Sequence, residues 1–280
     1  MTAAVAVVTD STACLSVELA AGGGVRVVPL RVVLGGRAVD EDPAAAEQVE
    51  AVLRAGVRVG TASPAPERFA AAYAAAAAAG ARCVVSVHLS ARLSGTLNSA
   101  RLAAGRAPVP VKVVDSRSIG MGLGIAVLTA AAAARAGAGT DAVAAAAASR
   151  AARLRSIFAL DTPGHLQAGG RLEPSQARSA SGLTARPLLH IRDGRVAALE
   201  KARTLAAAIG RLEQLAVEFA ADQPVDLAVQ HAGEAGRATD LAGRLAQRIV
   251  GARHTYLAAT GPVICAHTGP RMLGVVIAPY

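Results

Sequence analysis

The segment Ala3-Ala4-Val5-Ala6-Val7-Val8-Thr9-Asp10-Ser11-Thr12 sets the architecture. From Ala3 to Thr9 the run is apolar without alternation, so both faces of the strand are buried, as in a parallel sheet covered by helices. Asp10, Ser11 and Thr12 then supply turn chemistry at its carboxyl end.

The same unit repeats outward. Val25 to Val33 reads as extended, Ala44 to Ala55 as a helix, and Arg58 to Gly60 ends a short strand. A helix opens at Ser63, with Pro64 and Pro66 in its first turn where a missing N–H does no harm, and stops at Gly80. Arg82 to Val87 and Val111 to Val114 are strands, separated by a helix over Ser94 to Ala104. Ala-rich helices cover Gly120 to Ala136 and Asp141 to Arg153, alanine being the best helix former. Gly120, Gly122 and Gly124 read as close helix packing rather than a dinucleotide fingerprint.

Beyond Arg155 the pattern changes. Ser156 to Leu160 is a strand, and Asp193-Gly194 joins Pro187–Ile191 to Val196–Glu200 as a hairpin. Helices over Leu205–Ala221 and Ala235–Ile249 alternate with strands over Val225–Gln230, His254–Leu257 and Leu273–Ile277. The expectation is a two-domain α/β protein with mostly parallel sheets flanked by helices. Its domains are 1–155 and 156–280.

Composition narrows the function. Of 280 residues 53% are hydrophobic but only 2% aromatic, so the core is built from Ala, Val, Leu and Ile. The net charge of +9 is nearly all Arg, with Lys only at Lys112 and Lys201. The basic residues are scattered and no aromatic-rich strand offers a stacking platform, which argues against nucleic acid. Arg150, Arg153 and Arg155 stand at helical spacing and read as a solvated face. Cys14, Cys83 and Cys265 are odd in number and far apart, and the six His lack ligand spacing. Neither a disulfide framework nor a metal site is signalled, and a reducing cytoplasm fits. No secretory leader is read, and Ser118 to Ala134, the longest uncharged stretch, suits a buried helix rather than a transmembrane segment.

Hydroxyl residues collect after the strands: Asp10-Ser11-Thr12, then Thr61 and Ser63, then Ser90 and Ser94-Gly95-Thr96. Ligands of open α/β sheets bind at the carboxyl ends of strands, where helix N-termini favour anions. Hydroxyls and N–H groups converging there suit an anionic ligand, although each is alternatively a helix N-cap. His267-Thr268, framed by Gly261-Pro262 and Gly269-Pro270, marks a tight loop that adds a donor. Ser94 with His267 is also the one attractive nucleophile–base pair, but no G-x-S-x-G elbow surrounds Ser94. No P-loop is present.

The ordered set of motifs resembles the DegV family. It comprises Thr9-Asp10-Ser11-Thr12, Thr61 with Pro64, Leu93-Ser94-Gly95-Thr96, Asp115-Ser116, and Met121-Gly122-Leu123-Gly124. It continues through Gly169-Gly170-Arg171-Leu172, Arg186-Pro187-Leu188-Leu189, Lys201-Ala202-Arg203-Thr204 and His267-Thr268-Gly269-Pro270. The resemblance covers essentially the whole chain. It implies a fatty acid held between two α/β domains by a carrier that is not itself an enzyme, with no other cofactor. It also implies delivery of that fatty acid to a separate fatty acid kinase, which makes an acyl-phosphate for phospholipid synthesis. By matching motifs, Thr61, Ser94 and His267 would hold the carboxylate, with Ser63, Gly95 and Thr268 beside them. Arg171 and Arg203 would dock the kinase, Arg171 projecting outward after Gly169-Gly170. Met121, Ile125 and Leu183 are tunnel-wall candidates. Two departures stand out: Ala62 replaces a family hydroxyl, and Arg271 stands where the family often has Gly. The alternative is a stand-alone acyl hydrolase or transferase using Ser94 and His267.

Overall fold

The computed structural model describes residues 4–173, 175 and 186–280. Leu183 therefore lies outside the described residues. The chain divides into two compact units, Met1–Arg31 with Ala62–Arg153, and Val32–Thr61 with Leu154–Tyr280. One boundary falls at 153/154. The N-terminal stretch is not contiguous, however, because Val32–Thr61 groups with the second unit.

The first unit is built on β1 (Val5–Asp10), β2 (Val25–Val28), β6 (Cys83–His88) and β7 (Val111–Asp115). They lie in the order β2-β1-β6-β7, and every pairing is parallel. Parallel strands need crossovers, and α1 (Val17–Gly23), α3 (Pro66–Ala78), α4 (Thr96–Ala104), α5 (Met121–Arg135) and α6 (Thr140–Arg153) belong to this unit. Phe69 and Tyr73 of α3 pack one core with Val8, Val28 and Val84; Leu123 and Val127 of α5 pack another with Val7, Val85 and Val87.

The strand expected over Val25 to Val33 is interrupted at Pro29-Leu30, proline having no N–H for a sheet ladder. Its second part is β3 (Arg31–Leu34), which turns through Gly35-Gly36, both at positive φ, into β4 (Arg37–Asp40). With β5 (Gly60–Ala62) they form a three-stranded sheet, β4-β3-β5, and α2 (Pro43–Arg54) lies between β4 and β5 in the chain.

The rest of the second unit contains β8 (Arg155–Ala159), α7 (Gly164–Ala168), β9 (Arg186–Arg192), β10 (Arg195–Ala202), α8 (Leu205–Ala220), β11 (Val225–His231), α9 (Ala235–Arg248), β12 (Ala252–Ala259), α10 (Pro262–Thr268) and β13 (Leu273–Pro279). Its sheet runs β10-β9-β8-β13-β11-β12. Only β11 and β12 pair in parallel; the other pairings are antiparallel. The expectation of mostly parallel sheets holds for the first unit and not here. The Asp193-Gly194 hairpin reverses one edge, and β13 enters between β8 and β11 in the opposite sense. Leu212 and Leu215 of α8 and Leu241 and Leu245 of α9 bury this sheet's Ile157, Leu227 and Val275.

Arg150 corrects the solvated-face reading. It is buried at the end of the stripe Val143, Ala144, Ala147 and Arg150 on α6, while Arg153 and Arg155 are exposed. Among the described residues no helix is long and apolar enough to cross a membrane.

Candidate functional site: two clusters of hydroxyl and imidazole donors

The hydroxyls that collect after the strands separate into two kinds. Asp10, Ser11 and Thr12 are consumed by the scaffold. Asp10 caps a single 3-10 turn over Ser11–Ala13 by accepting from Thr12 N at 3.1 Å, and it also accepts from the Thr12 hydroxyl. Ser11 Oγ accepts from Leu30 N. Ser63, Ser94 and Thr96 instead contact one another.

Asp10 also anchors a chain of four fully buried side chains. The Tyr73 hydroxyl donates to Ser86 Oγ at 2.9 Å, Ser86 Oγ lies 2.7 Å from His88 Nε2, and His88 Nδ1 lies 2.9 Å from Asp10 Oδ2. A carboxylate partner requires the proton on Nδ1, which leaves Nε2 to accept from Ser86. The order is that of a Ser–His–Asp relay, but burial gives it no substrate, and it braces β1 against β6. Burial raises the Tyr73 phenol to about 12. Asp10 Oδ2 further accepts from Leu89 N, which fixes the start of the segment leading to Ser94. The segment is pinned from β7 as well: Ser116 Oγ donates to His88 O, and Ser90 N donates to Ser118 O.

The first cluster lies at the end of that segment, within the first unit. Ser63 Oγ is 3.0 Å from Ser94 Oγ, which is 2.9 Å from Thr96 Oγ1 and accepts from Thr96 N at 3.3 Å. Gly95 adjoins Ser63. The helix expected to open at Ser63 begins at Pro66 with Ala65 as an uncapped N-cap, so Ser63 is not a helix cap.

The second cluster lies in the second unit. Thr61 Oγ1 is 2.9 Å from His267 Nε2. The segment expected as a loop, between Gly261-Pro262 and Gly269-Pro270, is the short helix α10, with His267 in its last turn. Proline at its first position is compatible with helix because that N–H has no partner in any case. The His267 ring abuts Gly169: a Cβ there would stand 2.5 Å from Nδ1. Burial, with the Arg171 charge second, pushes the imidazole down to about 4, so it is neutral at pH 7. Thr268 is buried, and its hydroxyl faces Ile264 O at 3.0 Å and Gly269 O at 3.2 Å. The hydroxyl's proton is thus engaged by backbone carbonyls.

Arg171 does not project outward as expected. It is half-buried, and Nη1 donates to Gly169 O at 2.6 Å, which places its charge beside His267. Arg203 is exposed. Arg271 adopts φ +79° and is exposed, and its guanidinium pairs with Asp161 at 3.4 Å and Glu234 at 3.2 Å. Met121 and Ile125 are buried on α5. Among the described residues no group of His, Cys, Asp and Glu could hold a metal ion.

A family model described as "Uncharacterised protein, DegV family" matches residues 4–280. A DegV domain-containing protein of Streptomyces coelicolor is 44% identical over 274 residues, which is 98% of each chain. Among solved structures, a DegV family protein from Thermus thermophilus, described as binding fatty acid, is 31% identical with a TM-score of 0.91, covering 99% of each chain. DegV of Bacillus subtilis, described as a fatty acid binding protein, is 28% identical with a TM-score of 0.88, covering 99% of this chain and 100% of its own.

Proposed function

This chain belongs to the DegV family, and on that premise we propose that it binds one long-chain fatty acid and presents it to a separate kinase for acyl-phosphate formation. The carboxylate is assigned to Thr61, Ser63, Ser94, Gly95, His267 and Thr268. The observation that carries this reading is the Thr61–His267 pair at 2.9 Å, with its imidazole neutral. A neutral ring and a set of hydroxyls can each turn a donor toward an anion without adding a second buried charge.

A chain of about sixteen carbons buries on the order of 12 kcal/mol gross, against which stand association entropy and desolvation of the carboxylate. Two or three charge-assisted hydrogen bonds of roughly 1.5–3 kcal/mol each offset the desolvation. The setting is cytoplasmic.

Two experiments test the reading. Organic extraction of the purified protein followed by mass spectrometry should release a long-chain fatty acid in about equimolar amount. Incubation with activated acyl esters then separates a carrier from a hydrolase: turnover abolished by Ser94→Ala would sink the carrier reading.

A further inference from the structure

We propose that Glu41 is a positioning residue for His267, so that the turn between β4 and α2 sets how firmly the head group of a bound fatty acid is held. The inference rests on the head-group site proposed above.

The argument starts from the size of α10. A helix of 7 residues has too few internal hydrogen bonds to hold its own shape and orientation. Its first-turn N–H groups need outside partners. Pro262 has none to offer, and Val263 N donates to Glu41 Oε1 at 3.1 Å. An anionic acceptor at this end is favoured by the helix dipole. The approach is possible because residue 261 is glycine: a Cβ there would stand 2.0 Å from Glu41 Oε1 and 2.8 Å from its carboxyl carbon.

The other end of α10 is gripped by the same excursion of the chain. Thr61, at the end of Val32–Thr61, meets His267 Nε2, while α2 packs along the helix. Val263 and His267 are one turn apart, about 6 Å along the axis, so a displaced N-terminus carries the imidazole with it. The groups facing that imidazole are Thr61, Gly169 and the Arg171 guanidinium, and at the C-cap of the helix Gly269 abuts His165. Displacing α10 would pull the ring away from these neighbours and let water reach it.

The test uses the full chain as wild type, Glu41→Ala, Glu41→Gln and Gly261→Ala. The last displaces the carboxylate without removing it. The ring of His267 is followed by ¹⁵N NMR against pH, and palmitate binding by titration. In wild type His267 should titrate near 4. In Glu41→Ala and Gly261→Ala its midpoint should rise by about one pH unit or more, since water reaching the ring restores the charged form. Glu41→Gln keeps an acceptor oxygen and should stay near wild type. Glu41→Ala should weaken palmitate binding about ten-fold, yet add less than about two-fold when His267 is already Ala, because the two share one path. An unmoved His267 midpoint in both displacing variants overturns the proposal, as does an equal loss of affinity in both backgrounds. Should Glu41→Ala not fold, the Gly261→Ala titration decides alone. If His267→Ala binds palmitate like wild type while Glu41→Ala still moves the titration, the head-group reading fails and the positioning role stands.

Discussion

Thr61 and His267 are 206 positions apart in the chain, yet their side chains meet at 2.9 Å. Such a contact joins two residues that are individually unremarkable. On the proposed assignment, Thr61→Ala, Ser94→Ala and His267→Ala each remove one hydrogen bond to a charged group, at about 1–3 kcal/mol, or roughly five- to 150-fold in fatty-acid affinity. Ser63→Ala should cost less, since its hydroxyl meets Ser94. Isothermal titration with palmitate checks the order, and circular dichroism of the same variants should match wild type. These residues stand out in the sequence because hydroxyls after strands, and a His among Gly-Pro pairs, carry a chemical signal, and the Thr61–His267 contact brings two of them together. Side-chain direction was not legible. Arg171 follows two glycines and reads as projecting, but the Gly169 carbonyl is within its reach and holds it back. The Thr268 hydroxyl is similarly engaged by backbone carbonyls.

At the scale of elements, periodicity revealed the long Ala-rich helices and the buried strands, and it failed for the short ones. Helix α10 has 7 residues between two Gly-Pro pairs, and the same residues signal a loop equally well. Strand β4 follows β3 after only Gly35-Gly36, and its mixed pattern of Arg, Ala, Val and Asp has no clear period. Of Gly120, Gly122 and Gly124, read as close packing, Gly124 shows the close approach, while Gly120 is the helix N-cap at φ +64°. A Cβ on Gly124 would stand 2.5 Å from Ala13 O, in the turn that Asp10 caps. Gly124→Ala therefore sets two effects against each other. Helix propensity favours Ala by about 1 kcal/mol, while forcing a methyl against a buried carbonyl costs typically 1–3 kcal/mol or more. Because the obstacle is backbone, the clash should win, and the urea midpoint should fall without a change in slope. A raised midpoint would mean that α5 can slide away from the turn.

Across the whole molecule, packing divides the chain at 153/154, and the excursion Val32–Thr61 that joins the second unit left no mark in composition. Its grouping is set by long-range packing of α2 on α10, which single-sequence patterns do not encode. Acid should weaken the fold below the usual histidine range. His165, His190, His231 and His267 all have their pKa lowered, with burial the largest cause. The unfolded chain takes up protons near 6.5 that the folded chain refuses, so this stability is fully present above 6.5 and declines as pH falls toward 4. Thermal midpoints at pH 8, 6.5 and 5 should be level and then drop, with a smaller drop in His267→Asn. A fold that grows more stable in that window would contradict the assignment.

Docking of a kinase is proposed to use Arg203 and Arg171. Arg203→Ala should leave palmitate affinity unchanged and slow acyl-phosphate formation, most at low protein concentration, because rim charges act through association rate. Arg171→Ala should also raise the His267 midpoint, since a neighbouring cation is removed. Normal phosphorylation by both variants under dilute conditions would end the docking assignment.

The central claim is that one fatty acid is held by its carboxylate on hydroxyl and imidazole donors. Its most direct test is titration of delipidated protein with palmitate, in wild type, Ser94→Ala and His267→Ala. The account predicts one equivalent bound by wild type and at least about five-fold weaker binding by each variant. Wild-type affinity in both variants, or no saturable binding by wild type, would contradict it.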